Sequence, residues 1–171
     1  ILLRRAQYRL CDVPETSLRL AANMISAKLS NSAAVIRRAV SDHALRVDTG
    51  SLTAAADLLK ANSVKAVRCP TADTLRGLEG ESGARYFAVF DQLILQQKED
   101  FPFSSRNRRP PQDPVNALLS LSYTLLTAQC TGVLESVGLD SSAGFFHTER
   151  PGRASLAMDM VEELRAPFAD R

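Results

Sequence analysis

One short stretch holds much of the chemistry available to this chain. It runs from Gly144-Phe-Phe-His147, through Pro151 and Gly152, to Asp159 and Glu162. Glycine and proline on both sides predict a loop around His147, one of two histidines, and a short helix after it. Residues three apart on a helix are neighbours, so Asp159 and Glu162 can reach one point. A loop imidazole beside two such carboxylates is a donor set for a hard divalent cation such as Mg²⁺ or Mn²⁺. Such ions commonly serve phosphate chemistry. Against this, the apolar stripe of the same helix is Leu156, Met160, Val161, Leu164 and Phe168. That stripe leaves the carboxylates on the opposite side, which the pattern predicts to be solvated.

A third carboxylate stands out. Glu79 shares a helical face with Leu75, Ser82, Tyr86 and Phe90. A carboxylate aimed at a core is costly unless a cation or donors compensate it. Gly77 and Gly80 flank it, and each glycine costs a helix about 1 kcal/mol relative to alanine. Glycine there admits another backbone or a ligand. A competing reading makes Glu79 a helix-edge residue paired with an arginine such as Arg76. The arginines add context: Arg106, Arg108 and Arg109 lie in one polar segment, and Arg150 and Arg153 flank His147. A planar, bidentate guanidinium suits phosphate.

The elements that must position these residues read as helices. Pro14 suits a first helical turn. Leu18, Ala22, Ile25, Leu29, Ala33, Ile36 and Val40 then recur at helical spacing, predicting an amphipathic helix of roughly 25 residues. After a break at Asp48 and Gly50, Ser51 is the expected N-cap of a shorter helix through Leu59. Thr71 is the expected N-cap of the helix carrying Glu79. Residues 97–112 form a polar loop, long for a connector. Asp113 and Pro114 then open a helix whose expected inner face is Val115, Leu118, Leu119, Ser122, Leu125, Leu126, Gln129 and Val133. Gly138 ends it. A last helix is expected over 154–168. With no convincing strand, the expected fold class is all-α, with about five or more helices in one domain.

Composition narrows the function classes. The chain has 171 residues, enough for one sizeable core, and at 45% hydrophobic it is not a disordered segment. A net charge of +2 makes it no polycation, so affinity for nucleic acid must come from local basic patches. Cys11, Cys69 and Cys130 are far apart, which argues against structural zinc and fits a reducing compartment. No apolar run approaches the ~20 residues of a membrane span. There is no signal peptide, and the start at Ile1 suggests a fragment of a larger protein.

Taken together, the segments strongly resemble the CRISPR-associated adaptation integrase/endonuclease, the spacer-acquisition nuclease of CRISPR systems. The matching pieces are Arg76-Gly-Leu-Glu79-Gly, the run from Arg108 through Pro110, Pro111 and Asn116 to Ser120, Gly138-Leu-Asp, Gly144-Phe-Phe-His147, and the run from Arg150 to Arg165. The segment from Leu2 to Asn31 looks like subtype I-C. The resemblance implies that Glu79, His147 and Glu162 are the metal ligands and catalytic residues, with Asp159 a further acidic position near the metal. It implies Mg²⁺- or Mn²⁺-dependent phosphoryl transfer on DNA, by attack of a prespacer 3′-hydroxyl or of water. Arg106, Arg108, Arg109, Arg150 and Arg153 would hold the DNA. It also implies a small ferredoxin-like partner protein, a homodimer made through an N-terminal β-rich domain absent from this chain, and a prokaryotic cytoplasmic location. The chain is then one helical catalytic domain over 1–171, truncated at both ends. The alternative is a non-catalytic helical DNA-binding module, which explains the arginines but not Glu79. A helical di-metal oxidase requires Glu-x-x-His; Gly144 stands three before His147 and excludes it.

Overall fold

The computed structural model describes residues 1–148 and 150–170; Glu149 and Arg171 lie outside the described residues. Six α-helices follow one another: α1 (Leu2–Cys11), α2 (Pro14–His43), α3 (Thr49–Ala66), α4 (Ala72–Ala88), α5 (Pro114–Ser136) and α6 (Ser155–Leu164). A 3₁₀ turn at Phe90–Leu93 follows α4, and a wider π turn at Arg165–Ala169 follows α6. No strand occurs among the described residues, so the fold is all-α.

α2 is the axle. Its 30 residues make a rod about 45 Å long at 1.5 Å per residue. Pro14 occupies its first turn, where the missing N–H costs nothing. Ile25, Leu29 and Ile36 are fully buried and share one core with Leu52 and Leu59 of α3, Leu75 of α4 and Ala166 after α6. α2 therefore lies against both helices that carry carboxylates of interest, α4 and α6.

Local chemistry sets the helix ends. Asp48, rather than Ser51, caps α3: its Oδ1 accepts from the backbone N–H groups of Gly50 (3.0 Å) and Ser51 (3.2 Å). Ser51 sits inside the first turn. α3 also continues past Leu59 to Ala66. The apolar period lapses at Asn62 and Ser63, yet both are buried, because Asn62 Nδ2 donates to Ser82 Oγ of α4 (3.1 Å) and Ser63 Oγ to Lys60 O (2.8 Å). Thr71 caps α4 reciprocally with Thr74. Asp113 Oδ1 accepts from Asn116 N (2.7 Å) to cap α5. Gly138, at φ 86°, ends α5: its N–H donates to Glu135 O (3.0 Å) and that of Leu139 to Leu134 O (2.9 Å).

The other expectations need correction. α1 has no counterpart in the sequence reading, because it docks through a polar residue. Buried Gln7 donates to Asp140 O (2.8 Å) and Ala143 O (2.9 Å) and accepts from Asp140 N (2.8 Å). It thus clamps the turn leading to His147. The buried face of α5 is Val115, Asn116, Leu119, Tyr123 and Leu134, while Leu118, Leu125 and Val133 are exposed. Capping and the Arg106 contacts described below rotate Asn116 and Tyr123 inward. By length and composition alone, α5 is also long and apolar enough to cross a membrane, against the expectation of no such run. Ser120, Thr124, Thr127 and Thr131 each return their hydroxyls to a carbonyl four residues back. Finally, the carboxylate side of α6 is buried and Phe168, assigned to its apolar stripe, is 73% exposed.

Candidate metal centre

Asp159 organises the histidine loop. It is 1% exposed. Its Oδ2 accepts from the backbone N–H groups of Phe145 (2.6 Å) and Phe146 (2.9 Å). Its Oδ1 accepts from the His147 backbone N–H (2.9 Å) and pairs with His147 Nδ1 at 2.6 Å. A buried carboxylate satisfied by four donors folds the loop around itself. An ionised carboxylate only accepts, so the ring nitrogen facing it, Nδ1, carries a proton and Nε2 is left turned toward Glu162. With both oxygens engaged, Asp159 acts on the imidazole rather than beside it. Gly144 makes the approach possible: a Cβ there would lie 2.8 Å from Asp159 Oδ2 and from the Ser155 carbonyl carbon.

Glu162 lies one turn further along α6 and is 4% exposed. Its Oε1 is 3.8 Å from His147 Nε2 and 2.8 Å from Arg165 Nη1. Lys28 Nζ stands 2.6 Å from its Oε2. The ammonium is the charged partner of that buried oxygen. Burial works against ionisation of Glu162, but Lys28, Arg165 and His147 outweigh it and hold the carboxyl below the ordinary glutamate range.

Glu79 reaches the same place from α4, and its partner is Lys28, which donates to Oε1. Arg76 is not that partner: it pairs with Asp73 (2.8 Å) and lies against the Phe146 ring (5.8 Å). The structure therefore joins Glu79 of α4 to Glu162 of α6 through Lys28 of α2, with His147, held by Asp159, on the other side of Glu162. As they stand, no three His, Cys, Asp or Glu side chains among the described residues form a ready metal cage, because an ammonium sits between the two glutamates. The donor types nonetheless suit Mg²⁺ or Mn²⁺: two carboxylates bridged by one ammonium, and an imidazole nitrogen 3.8 Å from one of them. Glu79, His147 and Glu162 are the residues that could hold such an ion.

A cavity of about 600 Å³ opens beside Glu79 and Glu162, lined also by Arg106, Arg108, Arg165 and Tyr123. The arginines have different fates. Arg106 is committed inside the protein: it donates to Asn116 Oδ1 (2.8 Å) and Ser120 Oγ (3.2 Å) and lies over Tyr123 (5.4 Å). Arg108 and Arg109 are exposed at the cavity side of the loop and at the start of its Pro-Pro step. Arg153 braces the histidine loop through Thr148 O (3.5 Å) and Met158 Sδ (3.2 Å). Arg150 lines a separate hollow with Tyr8 and Asp140. Sequence reasoning gave no role to Lys28, Arg165 or Tyr123. Tyr123 is stacked between Arg106 and Arg165 (4.8 Å), and its hydroxyl donates to Asp170 Oδ1 (2.5 Å). A lysine facing inward among apolar neighbours on α2 was the available signal.

Comparison with known proteins finds relatives along the whole chain. The CRISPR-associated endonuclease Cas1 2 of Rhodospirillum rubrum is 47% identical over 175 aligned residues, spanning 100% of this chain and 50% of that protein. The chain spans about half the length of the curated relatives it matches. Among solved structures, a casposase bound to integration product superposes with a TM-score of 0.79 at 27% identity, over 97% of this chain and 44% of that one. A Cas6-RT-Cas1–Cas2 complex gives 0.78 at 30% identity, over 93% of this chain and 16% of that one. The family model described as CRISPR associated protein Cas1 matches residues 1–171, and the chain belongs to that family.

Proposed function

We propose that this chain is the metal-dependent catalytic part of a DNA endonuclease/integrase that inserts new spacers into a CRISPR array. The observation that carries the reading is that Lys28 joins Glu79 to Glu162 while His147 Nε2 lies 3.8 Å from Glu162, linking three distant parts of the sequence. Family membership and the casposase likeness support it. Glu79, His147 and Glu162 would hold Mg²⁺ or Mn²⁺, which when bound supplies charge stabilisation at a scissile phosphate. The chain's own residues prepare for it. Asp159 holds Nδ1 protonated and turns Nε2 toward Glu162. Arg165 and Lys28 keep Glu162 ionised. Arg108 and Arg109 are free to hold DNA phosphates, and fixed guanidinium forks position a phosphodiester without reading its sequence. The attacking group is a DNA 3′-hydroxyl in integration and water in cleavage.

The partners follow from the same reading: prespacer and repeat DNA, and a small ferredoxin-like adaptation protein bridging homodimers of the full-length protein. A solved complex containing Cas1 and Cas2 supports a protein partner. The wide separation of Cys11, Cys69 and Cys130 in the sequence supports a reducing prokaryotic cytoplasm. The likeness of the first segment supports subtype I-C.

Glu79→Ala, His147→Ala and Glu162→Ala in the full-length protein should each reduce Mn²⁺-dependent cleavage and integration to background, because losing one ligand of three disrupts coordination. Asp159→Asn should lose less, about 10- to 100-fold, the range expected when a group orienting a metal ligand is removed. Cleavage assays on a branched DNA substrate read both outcomes. Full activity in any alanine variant would remove that residue from the set.

A further inference from the structure

Lys28 is the least expected member of this site. It lies on α2, with a side chain only 14% exposed, and its ammonium contacts Glu79 of α4 and Glu162 of α6 at once. It makes the only ion pair to Glu79 among the described residues. Arg165 cannot replace it, because its guanidinium is engaged with the other oxygen of Glu162 and with Tyr123. Without Lys28, two carboxylates from different helices would face each other in a partly desolvated site, an arrangement that repels and costs stability. A seat shared between two ligand carboxylates is also where a divalent ion would have to sit.

We propose that Lys28 is a resident counter-cation: it occupies the metal's seat in the metal-free protein, keeps Glu79 and Glu162 poised, and leaves when a divalent ion enters. The proposal rests on the reading of Glu79, His147 and Glu162 as ligands. Metal loading is then an exchange of one cation for another. Lys28 lines the adjoining cavity, and its flexible four-carbon stem lets the ammonium swing there while the stem stays packed. After the exchange the ion balances the two glutamates. Lys28 and Arg165 become surplus positive charges facing the cavity, which favours a phosphodiester once the metal is in place.

The test is Mn²⁺ titration of the full chain without DNA, followed by calorimetry and by the electron paramagnetic resonance of free Mn²⁺. Lys28→Met and Lys28→Gln should bind Mn²⁺ roughly tenfold tighter or more, the scale expected when one like charge a few ångströms away is removed. Their metal-free melting temperatures should fall, and saturating Mn²⁺ should recover most of the loss. A purely structural lysine would lower the melting temperature without tightening Mn²⁺ binding, so unchanged or weaker Mn²⁺ binding overturns the proposal. Glu79→Gln and Glu162→Gln separate the two levels: Mn²⁺ binding that survives both removes the ligand assignment, and the exchange with it. Should neither Lys28 variant fold, acylation of Lys28 in the wild-type chain, followed by mass spectrometry, decides. Labelling should accelerate when Mg²⁺ replaces EDTA, and an unchanged rate overturns the exchange.

Discussion

At the residue scale, the site runs on compensation. Four acidic side chains sit in or beside the core, Asp159 and Glu162 buried, Glu79 and Asp170 partly so, and each is compensated by a different device. Asp159 takes four donors, Glu162 takes two cations, Glu79 takes one, and Asp170 takes the Tyr123 hydroxyl. Asp170 is the least compensated. Burial pushes its carboxyl above the ordinary aspartate value, although Tyr123, Tyr86 and Arg165 oppose it. A raised carboxyl binds its proton more tightly in the folded chain than in the unfolded one. Its contribution is therefore full below the unfolded value of about 3.9 and is lost as pH rises through the folded value. Asp170→Asn keeps an acceptor for Tyr123 and removes the charge. The melting temperature of the variant, relative to wild type, should thus rise progressively as pH climbs above about 4. A difference that does not change with pH would show that burial does not raise the Asp170 carboxyl. Residue types and spacing offered Glu79, His147, Asp159 and Glu162 as candidates, and only the family resemblance set Asp159 apart from the other three. Lys28 was not among them, because its spacing marks it only as an inward position on α2, and nothing local says that two glutamates wait there.

At the element scale, helices whose burial is apolar were legible and those docked by polar groups were not. α2 follows its leucine and isoleucine period closely. α1 does not, since Gln7 rather than a leucine faces inward and grips backbone carbonyls of the turn before His147. α3 outruns its apolar pattern because Asn62 and Ser63 are satisfied in place. The two sides of α6 illustrate the same limit: a charged stripe is solvated by default, yet here Lys28 and the histidine loop cover it. The long loop before α5 divides its arginines by role, which yields a sharp contrast. Arg106→Ala should lower stability by about 1.5–3 kcal/mol, because it removes charged hydrogen bonds that seat the loop on α5. Arg108→Ala and Arg109→Ala should leave melting unchanged within about 0.5 kcal/mol. They should instead weaken DNA binding equally across unrelated sequences and lower the salt slope by roughly 0.9 per lost phosphate contact. A sequence-selective loss, or an Arg106 variant of wild-type stability, would contradict this division.

At the scale of the whole molecule, a nearly neutral chain concentrates its cations where they matter. Net charge is +2, yet Lys28, Arg106, Arg108 and Arg165 ring one cavity beside two glutamates. The all-α architecture makes this possible by laying α4 and α6 against one long helix, so that Lys28 bridges Glu79 and Glu162 and His147 lies beside the latter, without their being neighbours in sequence. The account stands or falls on whether that meeting point is a metal seat. Crystals of the full chain soaked in Mn²⁺ and measured at the manganese absorption edge test it directly. The account predicts an anomalous peak at about 2.0–2.3 Å from His147 Nε2 and from carboxylate oxygens of Glu79 and Glu162, with the Lys28 ammonium withdrawn toward the cavity. Density showing Lys28 still bridging the two glutamates under saturating Mn²⁺, with no peak among the three ligands, would contradict it.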